Sequence, residues 1–226
     1  MATTSTQPDI TLYRANGSCA FVPHSVLKEL SVPFNEVLLT WGAKGVEAAD
    51  GSLTHDEYRK VHHLGYIPAL QVDGTVITEM PAILTYIASL APERKLLGGN
   101  ALEQAKATEW MAYLSNSLHG MGFGMLFRPG RFTDDEGRYD QVKERGRAYV
   151  RNCYRRIDDL LDGGKYPVGS SESVVDFNLV IFWYWGLKNG FGMREEYPNY
   201  AALVRRMEGR DSVREVAQLE GIQLSF

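Results

Sequence analysis

Cysteine is scarce in this chain: 226 residues carry two, Cys19 and Cys153, too few for a disulfide scaffold. Metal ligation is poorly served as well. His62 and His63 are adjacent and cannot share one helix face, and no cysteine pair has ligand spacing. Long apolar runs are missing, so no segment reads as a membrane span, and the polar lead from Met1 to Asp9 has no apolar stretch of the signal-peptide kind. Charge of one sign is missing too. A net charge of −4 with both signs mixed throughout excludes a basic nucleic-acid surface, and the cluster Arg147, Arg151, Arg155 and Arg156 recurs at helical spacing beside Glu144 and Asp158, as a solvated helix face does. What remains is an ordinary globular composition, 44% hydrophobic and 23% charged, with length for one large or two small domains. The expected compartment is the cytoplasm.

The most informative stretch runs from Gly65 to Ile83, GYIPALQVDGTVITEMPAI. Ala69–Val72 and Val76–Thr78 read as short strands joined by Asp73-Gly74, the strongest short hairpin signal. Pro68 stands at the mouth of that hairpin with no N–H to donate. A cis Ile67–Pro68 bond there would turn the Ile67 backbone outward, leaving its N–H and C=O for a ligand. Thr78-Glu79-Met80-Pro81 then opens a helix with proline in its first turn, and the unpaired N–H groups of such an opening favour a carboxylate.

Ile10–Tyr13 reads as a buried strand, Ala20–Leu30 as a helix, Asn35–Thr40 as a second strand and Thr54–Val61 as a second helix. With the hairpin and a helix over Met80–Leu90, the order β-α-β-α-β-β-α is that of a thioredoxin-like domain over residues 9–90. A linker follows over 91–100, where Ala91-Pro92 and Gly98-Gly99-Asn100 break the pattern. Helical periodicity alone continues over Ala101–Leu118, Tyr139–Leu161, Val174–Leu187 and Tyr200–Leu219, so residues 101–226 form an all-α domain. The glycines of Gly120-Met121-Gly122-Phe123-Gly124 are expected to bend or end the first of these helices. Ser173 and Asp176 have capping-box spacing at the start of the third.

A proline-led hairpin followed by a Glu-opened helix resembles the glutathione-binding half of cytosolic glutathione transferases, and Tyr166–Asp176 resembles the cap of their central buried helix. Glu172 departs from the apolar residue usual just before that cap. The loop Asn16-Gly17-Ser18-Cys19-Ala20-Phe21-Val22-Pro23-His24 is similar to the beta class, with Cys19 on the cysteine of that class. Trp110–His119 resembles the beta-class helix whose histidine faces the sulfur site, with His119 on that histidine. Asn16-Gly17 is also similar to the nu class and to the yeast nitrogen-regulator group, in which an asparagine of this loop contacts the glutathione sulfur. Sulfur activation is therefore open among Asn16, Ser18 and Cys19. A thiolate at a helix start is favoured by the macrodipole and unpaired N–H groups, whereas a buried lone cysteine is a small core residue.

The resemblance implies glutathione as co-substrate and no metal. Glu79 would accept from its α-amino group, the Met80 N–H would meet its carboxylate, Ile67 before Pro68 would pair with its cysteinyl backbone, and Lys44 would reach its glycine carboxylate. Several residues depart from the beta pattern: Ala20 replaces a serine, Ala112 and Asn116 replace polar residues, and Met80 stands where serine commonly follows the Glu. For an apolar electrophile, Phe21, Met121, Phe123, Phe127 and Arg128, with Met125, form a soft aromatic set. The implied function is a glutathione transferase acting on an apolar electrophile, or isomerising a conjugated alkene by reversible thiol addition, in detoxification or specialised metabolism. The alternatives are thiol-disulfide chemistry through Cys19 and a non-catalytic glutathione-binding module. The family also implies a homodimer, with a solution mass twice the 25.4 kDa of the chain.

Overall fold

A computed structural model describes residues 7–164 and 166–226; the first six residues of the polar lead lie outside it. The chain divides into two units. One ends at Ala91 and also takes in Arg210–Leu224, and the other comprises Pro92–Gly209 with Ser225–Phe226.

The first unit is built on a mixed five-stranded sheet of order β3-β2-β1-β4-β5, from β1 (Ile10–Arg14), β2 (Asn35–Trp41), β3 (Val46–Ala48), β4 (Ala69–Val72) and β5 (Thr75–Ile77). β1 pairs with β2 in parallel, and the crossover that a parallel pair requires is α1 (Phe21–Glu29). On its other side β1 pairs with β4 antiparallel, Tyr13 opposite Ala69. β1 is thus flanked on both sides, and Ile10 and Leu12 have essentially no exposed surface. α2 (His55–Val61) starts at Thr54 with a reciprocal capping box to Glu57. Its Tyr58 is buried with Ala15, Leu39, Val46 and Ala48, with Ile67 packed alongside. The β4–β5 turn has Asp73 at φ 48° and Gly74 at φ 82°, the double positive φ of a type I′ turn. α3 (Met80–Ser89) follows.

β3 was not among the expected strands: the loop holding Lys44 is the turn of a β2–β3 hairpin, closed by Gly42 and Gly45. The last expected helix also differs. It is two helices, α9 (Pro198–Glu208) and α10 (Asp211–Leu219), and α10 groups with the first unit. There Lys28 pairs with Glu215 at 2.7 Å, and Arg210 and Ser212 both donate to Glu29.

The second unit is helical. α4 (Ala101–Tyr113) is not ended by the glycines; it runs on through a π-helical segment, Leu114–Phe123, into α5 (Gly124–Phe127). Gly122 serves close packing instead: a Cβ on it would meet Val150 Cγ2 at 2.8 Å, and one on Gly146 of α6 (Tyr139–Leu160) would meet Met125 Cβ at 2.7 Å and the Gly122 carbonyl at 3.2 Å, so the two backbones approach closely here. The arginines of α6 are not merely solvated. Arg147 donates to the Asn189 carbonyl at 2.8 Å and lies 4.9 Å from the Phe191 ring centroid. Within the expected linker, Leu96 is buried and its carbonyl accepts from Val174 N–H.

α7 (Val174–Lys188) is apolar on nearly every face, as a helix enclosed by others is. α8 (Met193–Glu196) is a single turn. The α7 start is held by Ser173 and Asp176: Asp176 Oδ2 accepts from the Ser173 N–H at 2.9 Å, and Ser173 Oγ accepts from Val175 N–H. Asp176 Oδ1 pairs with Arg206 of α9 at 2.9 Å. Burial pushes the Asp176 carboxyl up to about 6, against the opposing pull of Ser173 and Arg206.

Removing that carboxylate leaves donors of both helices unpaired. Asp176→Ala should therefore lower stability in urea unfolding by about 2 kcal/mol, the lower part of the usual range because Arg206 keeps some solvent. Asp176→Asn should lose less. A loss under about 0.5 kcal/mol for the alanine variant would contradict this account of the α7 start.

Candidate functional site

In the first unit the loop from Ala15 to Cys19 joins the carboxyl end of β1 to α1. Ser18 is occupied locally: its hydroxyl donates to the Ala15 carbonyl at 2.7 Å and accepts from Ala20 N–H at 3.1 Å. Asn16 is exposed, with its Oδ1 accepting from Arg14 at 2.7 Å. Cys19 is 7% exposed, and its thiol donates to the Ile67 carbonyl at 3.4 Å. That contact puts Cys19 beside the backbone group expected to face a ligand, and Ile67–Pro68 is a cis peptide bond.

Tyr58, not singled out in the sequence, and His62, weighed there only as a metal ligand, hold the approach to that bond. Tyr58 hydroxyl donates to the Tyr66 carbonyl at 2.6 Å, and burial raises its phenol well above the ordinary value. His62 Nδ1 accepts from Leu64 N–H at 3.3 Å, and its ring stacks on His63 with centroids 5.5 Å apart. Burial and then His63 lower the His62 imidazole, while Glu79 acts in the opposite sense. A histidine three residues before a glycine is a weak signal, and its interaction with Glu79 is visible only in three dimensions.

Glu79 precedes α3 at φ 68°, a left-handed conformation costing on the order of 1–3 kcal/mol for a residue with a side chain. Its carboxylate caps no N–H of α3 and is exposed. Strain of this kind persists where a particular side-chain direction is needed. Met80 occupies the first helical position, half-buried, before Pro81. Lys44 is exposed on the β2–β3 turn, and among the described residues no hydrogen bond or ion pair joins it to Cys19, Ile67 or Glu79.

The second unit carries a separate aromatic cluster. His119 lies in the π-helical segment, with ring centroids 5.0 Å from Trp185 and 5.9 Å from Phe182. Phe123 stacks on Phe127 at 5.2 Å and meets Trp185 edge-on at 5.1 Å. Phe182 and Trp185 were not anticipated, although their spacing of three on α7 places both on one face. Of the residues expected to meet an electrophile, Met121, Phe127 and Arg128 are exposed. Phe21 and Phe123 are not: both are core residues with no exposed surface, Phe21 in the first unit and Phe123 in the second. Among the described residues no group of His, Cys, Asp or Glu could hold a metal ion, and no helix is long and apolar enough to cross a membrane.

Residues 17–90 match the family described as glutathione S-transferase, N-terminal domain, and residues 118–211 the one described as glutathione S-transferase, C-terminal domain. The chain is 30% identical over 216 residues to glutathione S-transferase GstA of Escherichia coli O157:H7, covering 94% of this chain and 99% of that protein. It is 28% identical over 132 residues to maleylacetoacetate isomerase of Dictyostelium discoideum, covering 57% and 59% of the two chains. Among solved structures, the ternary complex of the bacterial transferase BphK superposes with a TM-score of 0.82 at 28% identity, covering 94% of this chain and all of that one. A sphingomonad glutathione S-transferase complexed with glutathione gives 0.81 at 26%, with the same coverage. The chain belongs to the glutathione S-transferase family.

Burial first, and then the nearby Arg128 and Arg131, lower the His119 imidazole to about 4. A folded value below the unfolded one of about 6.5 means that the unfolded chain takes the proton first. The contribution of His119 to stability is therefore complete above about pH 6.5 and is lost as pH falls toward 4. In NMR titration its ring protons should show no ionisation between pH 6 and 8. A midpoint within that interval would contradict the burial argument.

Proposed function

We propose that the chain is a glutathione transferase whose first unit binds glutathione along Asn16–Cys19, Ile67–Pro68 and Glu79–Met80 and stabilises its thiolate. The observation that carries this reading is the meeting of Cys19 with the carbonyl of the cis-linked Ile67, 3.4 Å away. It brings the helix-start loop and the mouth of the hairpin to one place. A tripeptide laid there as an added strand pairs its cysteinyl backbone with Ile67. Its sulfur then lies against the loop, where backbone N–H groups and the Asn16 amide favour the anion, and the Ser18 hydroxyl joins them only by leaving the Ala15 carbonyl. The exposed Glu79 carboxylate takes the α-ammonium and Met80 N–H the α-carboxylate, while Lys44 is a candidate for the glycine carboxylate.

The reaction that follows is thiolate attack. The glutathione S–H proton leaves to solvent, a sulfur–carbon bond forms at the electrophile, and the leaving group departs with its electron pair. With a conjugated alkene the sulfur–carbon bond forms, the carbon–carbon bond rotates, and the thiolate is expelled again. The partial likeness to maleylacetoacetate isomerase supports the second variant. The aromatic cluster around His119, with the exposed Phe127 and Met121, suits an apolar second substrate. His119, neutral at pH 7, serves there as a hydrogen-bonding group and not as a cation. The cytoplasm is the compartment that supplies reduced glutathione.

Glu79→Ala removes a charge-assisted hydrogen bond of about 1.5–3 kcal/mol, so calorimetry should show glutathione affinity falling at least tenfold in the folded variant. Unchanged affinity would overturn this placement.

The proximity of the Cys19 thiol to Ile67 also favours a second reading, attack by Cys19 on a glutathione disulfide to leave a mixed disulfide on Cys19 and one reduced glutathione. We favour conjugation or isomerisation, because Ala20, Ala112 and Asn116 have abandoned polar features of the beta class. Cys19→Ser should then keep most activity, and intact-mass analysis after oxidised glutathione should find little adduct. A stable adduct on Cys19 together with near-complete loss of activity in the variant would reverse the preference.

A further inference from the structure

Glu220 ends α10, and its carboxylate has no exposed surface. Both oxygens are engaged. Oε2 accepts from Gly17 N–H at 2.9 Å, across 203 positions of sequence, and Oε1 meets His24 Nδ1 at 2.9 Å. An ionised carboxylate only accepts, so Nδ1 carries the proton and Nε2 is turned toward Glu36 Oε1, 3.8 Å away and beyond hydrogen-bond reach. Glu36 pairs with Arg14 Nε, and Arg14 Nη1 donates to Asn16 Oδ1 at 2.7 Å. Two chains of contacts therefore end on adjacent residues, with Arg14 holding the Asn16 side chain and Glu220 the Gly17 backbone.

An acid at this place is disfavoured on two grounds. The carboxyl end of a helix carries negative partial charge, and a carboxylate removed from water loses its hydration. A stable α10 alone would be better served by a neutral or basic residue. Gly17 is at φ 67°, and a Cβ there would meet nothing within 4 Å, so glycine is required for the backbone angle and not for space. The turn is one that needs holding, and the unfavourably placed acid holds it.

We propose that Glu220, backed by His24, is a positioning residue that sets the Asn16–Cys19 loop for thiol chemistry. The functional half rests on the glutathione reading above; the geometric half does not.

The test uses the full chain as wild type, Glu220→Ala and Glu220→Gln, with a chloro-nitro-aromatic electrophile as probe. Hydrogen exchange of the Gly17 and Ser18 amides should accelerate at least tenfold in E220A at a temperature where unfolding is absent. Its kcat should fall at least tenfold while KM for glutathione stays within threefold. In E220Q the amide oxygen still accepts from Gly17, so at least a third of kcat should return. Unchanged exchange overturns the proposal. So does a rate loss that only follows the folded fraction, or one equal in both variants. If E220A does not fold, Glu220→Asp, too short to reach both partners, is judged by the same criteria. Wild type that neither binds nor turns over glutathione overturns the proposed function instead, and exchange alone then decides whether Glu220 holds the loop.

Discussion

The pairing of β1 with β4 is the constraint from which the first unit takes its chemistry. β1 runs parallel to β2, so its carboxyl end must lead into a crossover helix, and the loop there ends at a helix N-terminus. Its antiparallel partner β4 begins where β1 ends, with Ala69 opposite Tyr13. Two residues before Ala69 the chain reaches Ile67, and this register brings its carbonyl to the Cys19 thiol. A shift of one residue would turn every side chain of β4 to the other face and lose both the core and this meeting.

In the second unit the governing requirement is that buried polar groups be paired. Tyr154 and Tyr200 lie wholly within the helical core, where each phenol donates to a carbonyl of α7, Phe182 and Leu179 respectively. Burial raises both phenols well above their ordinary value, so they are donors at every pH at which the protein is folded. With Asp176 closing its first turn, α7 is fixed at its start and along its length, and Phe182 and Trp185 become a rigid wall against which His119 and Phe123 rest.

Short-range features were legible in the chain. Asp73-Gly74, Pro68, the Thr54–Glu57 region and the Ser173–Asp176 box act over a few residues, and the structure has them as turn, cis bond, helix start and capping box. Features that depend on distant partners were not. β3 is three residues long and exists through its pairing with Leu39–Trp41. The glycines after Leu118 looked like breakers, but Gly122 serves the approach to α6, which no local pattern records. The same holds around the site: Asn16, Ser18, Cys19, Ile67 and Glu79 stood out by motif, whereas Tyr58, His24 and Glu220 take their meaning from contacts made 8 to 203 positions away. His24 was read only as part of a Pro-His pair.

The central claim is that the loop after β1, the cis-linked Ile67 and the strained Glu79 together form a glutathione site. A crystal structure of the chain grown with reduced glutathione tests it most directly. The account predicts the cysteinyl amide and carbonyl paired with the Ile67 backbone, the γ-glutamyl ammonium on Glu79, and the sulfur against Asn16–Cys19. Glutathione bound elsewhere on the chain, or bound with Ile67 and Glu79 unengaged, would contradict it.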